Sequence, residues 1–300
     1  MNRAGKTYAL LASARIANLP SVVSNVWVGT ALGMVWSGEI DAAIPWSLAV
    51  AGIFLYLAGN FLNDWMDRDW DAKHRPERAL PNKVFPPKLY LILAIILSIA
   101  ACFITYRINY RCGFIASTII ILIIVYTIYH KRIPWAVIPM GLCRGLLPVM
   151  GFFVFCPYIN SIWPIACALS FYIIGLSLTA RYEAMAAPPR WVALIARYFL
   201  LIPALFIAWG NKTMFLGWWP SVLIALPYLA WTSFSLRCRG KSIPVLVSNL
   251  LAGIPLVDWM VLFPLGIMLG SVEPLGVLCL VLPPVAFVFS LVLRRLAPAT

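Results

Sequence analysis

Residues 60–81, NFLNDWMDRDWDAKHRPERALP, hold five of the ten acidic residues of the chain: Asp64, Asp67, Asp69, Asp71 and Glu77. Asn60, Asp64, Asp67 and Asp71 follow one another at intervals of four, three and four residues, the repeat that stacks side chains on one face of a helix. Asn63 borders that face one turn before Asp67, and Asp69 falls off it toward solvent. Three stacked carboxylates repel one another, and a hard divalent cation removes that cost. Mg²⁺ takes oxygen ligands and is usually held by one or two carboxylates together with substrate phosphates. Asp64 to Asp71 covers roughly 10 Å at the helical rise, too far for one small ion to touch all three carboxylates. The pattern suits a diphosphate lying along the face, with one or two Mg²⁺ ions bridging it to successive turns. Arg68, Lys73, Arg75, Arg78 and Lys83 follow at once, and such side chains take non-bridging phosphate oxygens.

The elements that must position this face are apolar. The chain has 300 residues, of which 63% are hydrophobic and 11% charged, and the hydrophobic residues come in runs of about the length that crosses a bilayer. The composition excludes a soluble domain and predicts an all-α, polytopic membrane protein. Ten runs are legible, near 19–36, 44–60, 88–106, 113–129, 134–155, 162–180, 191–209, 215–236, 243–267 and 274–293. The second carries the Asp face out of the membrane. No linker or repeat divides the chain, so a single domain over residues 1–300 is expected.

The net charge of +13 is not a nucleic-acid signal, because the basic residues lie in loops. Counting alternate loops, all of them except Arg107, Arg111, Lys212 and the mid-span Arg144 fall on the N-terminal side. The positive-inside rule then puts the N-terminus, the Asp face and the C-terminus in the cytoplasm. The seven cysteines are scattered without a C-x-x-C pair, which argues against a disulfide framework or a thiolate metal site. The two histidines, His74 and His130, read as loop residues that form no cluster.

The series Asn60-x-x-Asn63-Asp64-x-x-Asp67-x-x-x-Asp71, followed by Arg75-Pro76-x-Arg78-Ala79-Leu80, resembles the first aspartate-rich motif of the UbiA superfamily of intramembrane prenyltransferases. That pattern runs N-D-x-x-D-x-x-x-D and then R-P-x-R-P-L, and only Ala79 departs from it. The resemblance implies a bundle of nine transmembrane helices around a central cavity, whereas the parity of the charged loops favours ten. Pro244, Pro255 and Pro264 make the 243–267 run the suspect extra or partial span. A second aspartate-rich motif of the family follows span six. The matching stretch here, Ser177 to Met185, has a single carboxylate, Glu183, and Arg181 is expected to supply part of the missing electrostatic work. Tyr126-x-x-x-x-Lys131-Arg132 resembles the family's ending of span four, where Lys131 would bind diphosphate. The M-G-L-C-R-G of span five, taken with Arg181 and Glu183, is most similar to the UbiA-like subgroup encoded in bacterial Ebo-type clusters.

Two further polar residues lie inside apolar runs. Arg144 sits mid-span between Gly141 and Gly145, where a guanidinium costs about 2.5–3.5 kcal/mol on insertion scales. It should face the bundle interior and meet diphosphate or the Asp face. Asn25 could line the cavity as a polar residue does in the family, or bond a neighbouring helix. Asp258 could pair with an Arg or mark a surface helix.

The combined expectation is a Mg²⁺-dependent prenyltransferase. Asp64, Asp67 and Asp71 would hold the metal, and Asn25, Asn60, Asn63, Lys73, Arg75, Arg78 and Lys131 the substrate. Arg144, Arg181 and Glu183 would act at the reacting centre. Its partners would be a polyprenyl diphosphate, a lipid or aromatic acceptor and the membrane lipids. The thinned second motif supports an alternative, a catalytically altered protein of this fold that binds or translocates a lipid or precursor.

Overall fold

The computed structural model describes residues 3–157, 162–181, 190–214, 218–237, 243–270 and 273–297. Hydrocarbon offers no water to peptide groups, so each apolar run closes its own hydrogen bonds as a helix. Among the described residues there is no strand and there are twelve α-helices. They are α1 (Arg3–Ala14), α2 (Leu19–Ser37), α3 (Ala43–His74), α4 (Pro87–Ile108), α5 (Tyr110–Tyr129) and α6 (Val137–Phe155). They continue with α7 (Trp163–Ala180), α8 (Arg190–Met214), α9 (Trp218–Arg237), α10 (Ile243–Ala252), α11 (Ile254–Leu269) and α12 (Pro274–Leu293).

Nine helical stretches among the described residues are long and apolar enough to cross a membrane, which makes this a multi-pass membrane protein. The segment with the suspect prolines is one of them. Residues 243–269 form α10 and α11, broken at Gly253, and they are the most deeply buried of the nine. Pro244 and Pro255 fall in the first turns of their helices, where a missing N–H breaks no hydrogen bond. Helix α9 has 20 residues and stands outside these nine.

The inner wall is built by close helix approach. A methyl on Gly29 of α2 would strike the Pro148 carbonyl of α6, and one on Gly145 of α6 would strike Ser170 of α7. Small residues at these crossings let the three backbones meet. Helix α6 is thereby fixed on both sides, with Arg144 between its neighbours. Helix α3 has 32 residues, about 48 Å of helix against about 30 Å of hydrocarbon. Its last turns, from about Asn63 onward, must emerge, and these carry the aspartates. A small separate core of Ala14, Phe61, Ala79, Leu80, Tyr90 and Ala94 seats the 75–86 loop beside them. Ala79, which departs from the motif, is buried there.

Candidate active site

A cavity of about 510 Å³ opens between the Arg15–Asn18 turn, α3, α5, α6, α7 and α10. One end is polar, with Asn60, Asn63, Asp67 and Asp71 of α3 facing Arg15, Arg75, Arg78, His130, Lys131 and Arg181. The other end is apolar, walled by Leu55, Ile119, Ile123, Met140, Leu147, Ile173, Leu176, Val247 and Leu251. A charged head and a hydrocarbon tail fit this division.

The helical repeat works as expected. Asn60, Asp64, Asp67 and Asp71 are all buried on the inner face of α3, while Asp69 is 86% exposed and lies 3.7 Å from Arg68 Nε. Each inner carboxylate has a basic partner, and Asp64 and Asp71 share Arg78. Asp64 Oδ1 accepts from Arg15 Nη2 at 3.1 Å and lies 3.7 Å from Arg78 Nη1. The same Arg78 nitrogen donates to Asp71 Oδ2 at 2.9 Å. Asp67 Oδ2 meets Asn63 Nδ2 at 3.2 Å, His130 Nε2 at 3.1 Å and Lys131 Nζ at 3.2 Å. The Lys131 ammonium also sits 3.7 Å over the Trp70 ring, a cation–π contact that fixes its direction.

Arg15 and His130 are the two residues that sequence reasoning missed. Arg15 counted only as a topology-setting charge. The chain leaves α1 through Arg15 in the left-handed region, at φ 48° and ψ 50°, a conformation costly for a side-chain-bearing residue. The turn points its guanidinium across to α3, where Nη1 donates to Asn60 Oδ1 at 2.7 Å. Asn60 returns a bond to the Ala14 carbonyl at 3.0 Å, so Asn60 holds the Arg15 turn. His130, read as an unclustered loop residue, stacks on Tyr126 with ring centroids 4.9 Å apart and points at Asp67. Its place beside Lys131 at the end of α5 was the available signal.

Lys73 departs from its expectation, Asn25 takes the second of its two alternatives, and Arg144 and Arg181 meet theirs in part. Lys73 is exposed and lies outside the cavity wall. Helix α3 continues to His74, so Lys73, two residues past Asp71, projects from the opposite side. Asn25 does not line the cavity. It is fully buried, and its amide donates to Asp258 Oδ2 at 2.7 Å. Arg144 faces the cavity but meets neither the Asp face nor a carboxylate within salt-bridge distance among the described residues. Its Nη2 donates to Ser21 Oγ at 2.8 Å, and its guanidinium lies 5.6 Å over the Tyr56 ring. Arg181 reaches the cavity rim, yet its guanidinium binds the carbonyls of His130, Lys131 and Ile133. It braces the loop that presents His130 and Lys131. Glu183 lies outside the described residues.

Asn63 Oδ1 and Asp71 Oδ1 are buried without a hydrogen-bond partner among the described residues. Hard oxygen donors left unsatisfied beside two carboxylates fit Mg²⁺. Among the described residues no three His, Cys, Asp or Glu side chains converge as a metal cage. The fit is therefore to an ion completed by phosphate oxygens and water.

Three kinds of likeness accord with this geometry. Residues 24–246 match the UbiA prenyltransferase family. The digeranylgeranylglyceryl phosphate synthase of Methanothrix thermoacetophila is 33% identical over 106 residues, 35% of this chain and 40% of that protein. The enzyme of the same name from Natronomonas pharaonis is 30% identical over 108 residues, 35% of this chain and 38% of its own length. These matches thus span only about two fifths of the curated relatives. Among solved structures, the apo UbiA homolog from Aeropyrum pernix K1 superposes with a TM-score of 0.58 at 13% identity, over 92% of this chain and 98% of that one. A structure from work on digeranylgeranylglyceryl phosphate synthase in membranes gives a TM-score of 0.53 at 15% identity, over 96% and 98%.

Proposed function

The chain belongs to the UbiA prenyltransferase family, and from that premise we propose that it transfers a prenyl group from a polyprenyl diphosphate to an acceptor within the membrane. The observation that carries the reading is the division of one cavity into an aspartate- and arginine-lined mouth and an apolar depth. The prenyl tail lies in the depth. The diphosphate lies along α3, where Arg15, Arg78 and Lys131 exchange their carboxylate partners for phosphate oxygens. Asp64, Asp67 and Asp71, with Asn63 Oδ1, would hold Mg²⁺, whose charge would stabilise the leaving diphosphate. The allylic C–O bond breaks with its electron pair going to diphosphate. The acceptor atom bonds to the allylic carbon and releases its proton to solvent. Tyr56 and Tyr126, which face the cavity beside the cations, shield the cationic carbon with their ring faces. Arg75 and Asn60 complete the diphosphate mouth, and Arg181 holds its rim. The distribution of basic loops supports a mouth open to the cytoplasm.

The names of the relatives support a glyceryl phosphate lipid as the first acceptor to try. Detergent-purified protein is given Mg²⁺, geranylgeranyl diphosphate and geranylgeranylglyceryl phosphate, and diphosphate release is followed. Release that needs both Mg²⁺ and acceptor is the expected result. Tight Mg²⁺-dependent binding with no release, for this acceptor and for phenolic ones, contradicts the transferase. That outcome leaves a carrier of the same fold, the second reading, which the lone carboxylate of the 177–185 stretch favours.

A further inference from the structure

A second group of charges lies deeper in the bundle than the aspartate mouth. Ser21, Ser24 and Asn25 fall within one turn and a little more of α2 and share a face. Ser21 binds Arg144 of α6 at 2.8 Å. Ser24 Oγ and Asn25 Nδ2 both donate to Oδ2 of Asp258 on α11, at 2.6 Å and 2.7 Å. Arg144 and Asp258 therefore hang from the same strip of α2, about 5 Å apart along its axis by the helical rise. Among the described residues they form no ion pair with each other. Both are buried in the span region, Asp258 completely.

The hydrogen bonds of this group are incomplete in one direction. Arg144 Nη1, Asp258 Oδ1 and Asn25 Oδ1 are buried with no hydrogen-bond partner among the described residues. Of the three residues, only Arg144 borders the cavity. A guanidinium in such surroundings is strongly unfavourable unless its donors are used. The diphosphate mouth does not need it, since Arg15, Arg78, His130 and Lys131 already serve the carboxylates there.

We propose that Arg144 is the acceptor-recognition residue of this cavity, using its free Nη1 to bind an oxygen of the acceptor, and that Asp258, held by Ser24 and Asn25, is the positioning residue that keeps Arg144 there. The inference rests on the transferase reading above and adds the acceptor side to it. The acceptor is a molecule that presents a phosphate, hydroxyl or carbonyl oxygen at the depth of Ser21. Its nucleophile then lies on the tail side of the diphosphate, within reach of the allylic carbon. Asp258 counterbalances Arg144 through space, while the neutral dipoles of Ser24 and Asn25 fix the carboxylate.

The test uses the full chain in detergent with Mg²⁺ and two families of probes. Geranylgeranyl diphosphate reads the mouth. Geranylgeranylglyceryl phosphate and a long-chain alkylphenol, titrated in turn, read the acceptor side and separate a phosphate oxygen from a neutral hydroxyl. Arg144→Gln and Asp258→Asn are expected to weaken the acceptor probe at least tenfold and to leave the diphosphate probe within about threefold. Arg144→Lys is expected to recover part of the loss. Because either single change could unfold the bundle, Arg144→Leu/Asp258→Leu is melted beside each Leu single. The double variant should melt above both singles yet not regain the acceptor. Equal loss of both probes in Arg144→Gln, or an unchanged acceptor affinity with the diphosphate probe intact, overturns the proposal. Additive melting shifts overturn the coupling to Asp258. Failure of the wild type to bind geranylgeranyl diphosphate sinks the transferase reading itself, and the proposal with it.

Discussion

The two charged regions of this bundle solve the same problem in opposite ways. At the mouth, three carboxylates and four basic side chains stand within direct contact of one another. Deeper in, Arg144 and Asp258 stand apart, each steadied by neutral hydroxyl or amide groups. Ion pairs at the mouth are short and exchangeable, because the turns of α3 that bear them reach past the hydrocarbon. A charge that must stay in the depth is fixed by dipoles that have no reason to leave. The mouth is thus suited to receive a charged ligand by exchanging partners, and the depth to hold one donor in one direction.

The largest effect that sharpens this contrast is expected at Asp67. Asp67→Ala removes a carboxylate shared by Asn63, His130 and Lys131, and should lower Mg²⁺-dependent diphosphate release by at least about 100-fold, as removal of a key electrostatic group does. Melting of the same sample should change little, because Lys131 can turn to water. Arg144→Leu should show the reverse balance. It leaves Ser21 Oγ buried without its charged partner and should cost about 1–3 kcal/mol of stability, read as denaturation in detergent. If Arg144→Leu is stable while Asp67→Ala unfolds, the contrast between mouth and depth is wrong.

Smaller effects refine the mouth. Arg15→Ala loses charge-assisted bonds to Asn60 and Asp64, each worth about 1.5–3 kcal/mol. Part of that loss is regained by water, so about tenfold weaker binding of geranylgeranyl diphosphate is expected. Arg181→Ala releases the carbonyls of the His130–Lys131 loop, and about threefold weaker binding should result. Lys73→Ala should change binding by less than about twofold, since exposed charges contribute little. A large loss at Lys73 would show that α3 presents a different face to the ligand.

These residues also show what the sequence made legible. The Asp face was readable because helical periodicity is local, and α3 is one unbroken helix across it. Lys73 was misread because it was grouped with the basic residues that follow the Asp face, whereas α3 runs on to His74 and turns it away. Arg15 was not readable, because its aim depends on a left-handed turn between α1 and α2. His130 was missed because its partner, Asp67, lies 63 residues away and only packing of α5 on α3 joins them. Asn25 and Asp258 each appeared as a lone polar residue in an apolar run. Their meeting depends on α11 packing on α2, which no local pattern encodes. The prolines of 243–267 suggested a marginal helix, yet two of them open α10 and α11 at the centre of the bundle.

The most direct test of the central claim is equilibrium binding of radiolabelled geranylgeranyl diphosphate to the purified chain, with and without Mg²⁺, for wild type and for Asp64→Ala/Asp67→Ala. The account predicts saturable binding that needs Mg²⁺ in the wild type and falls at least about 100-fold in the double variant. Equal binding by both proteins, or binding indifferent to Mg²⁺, would contradict it.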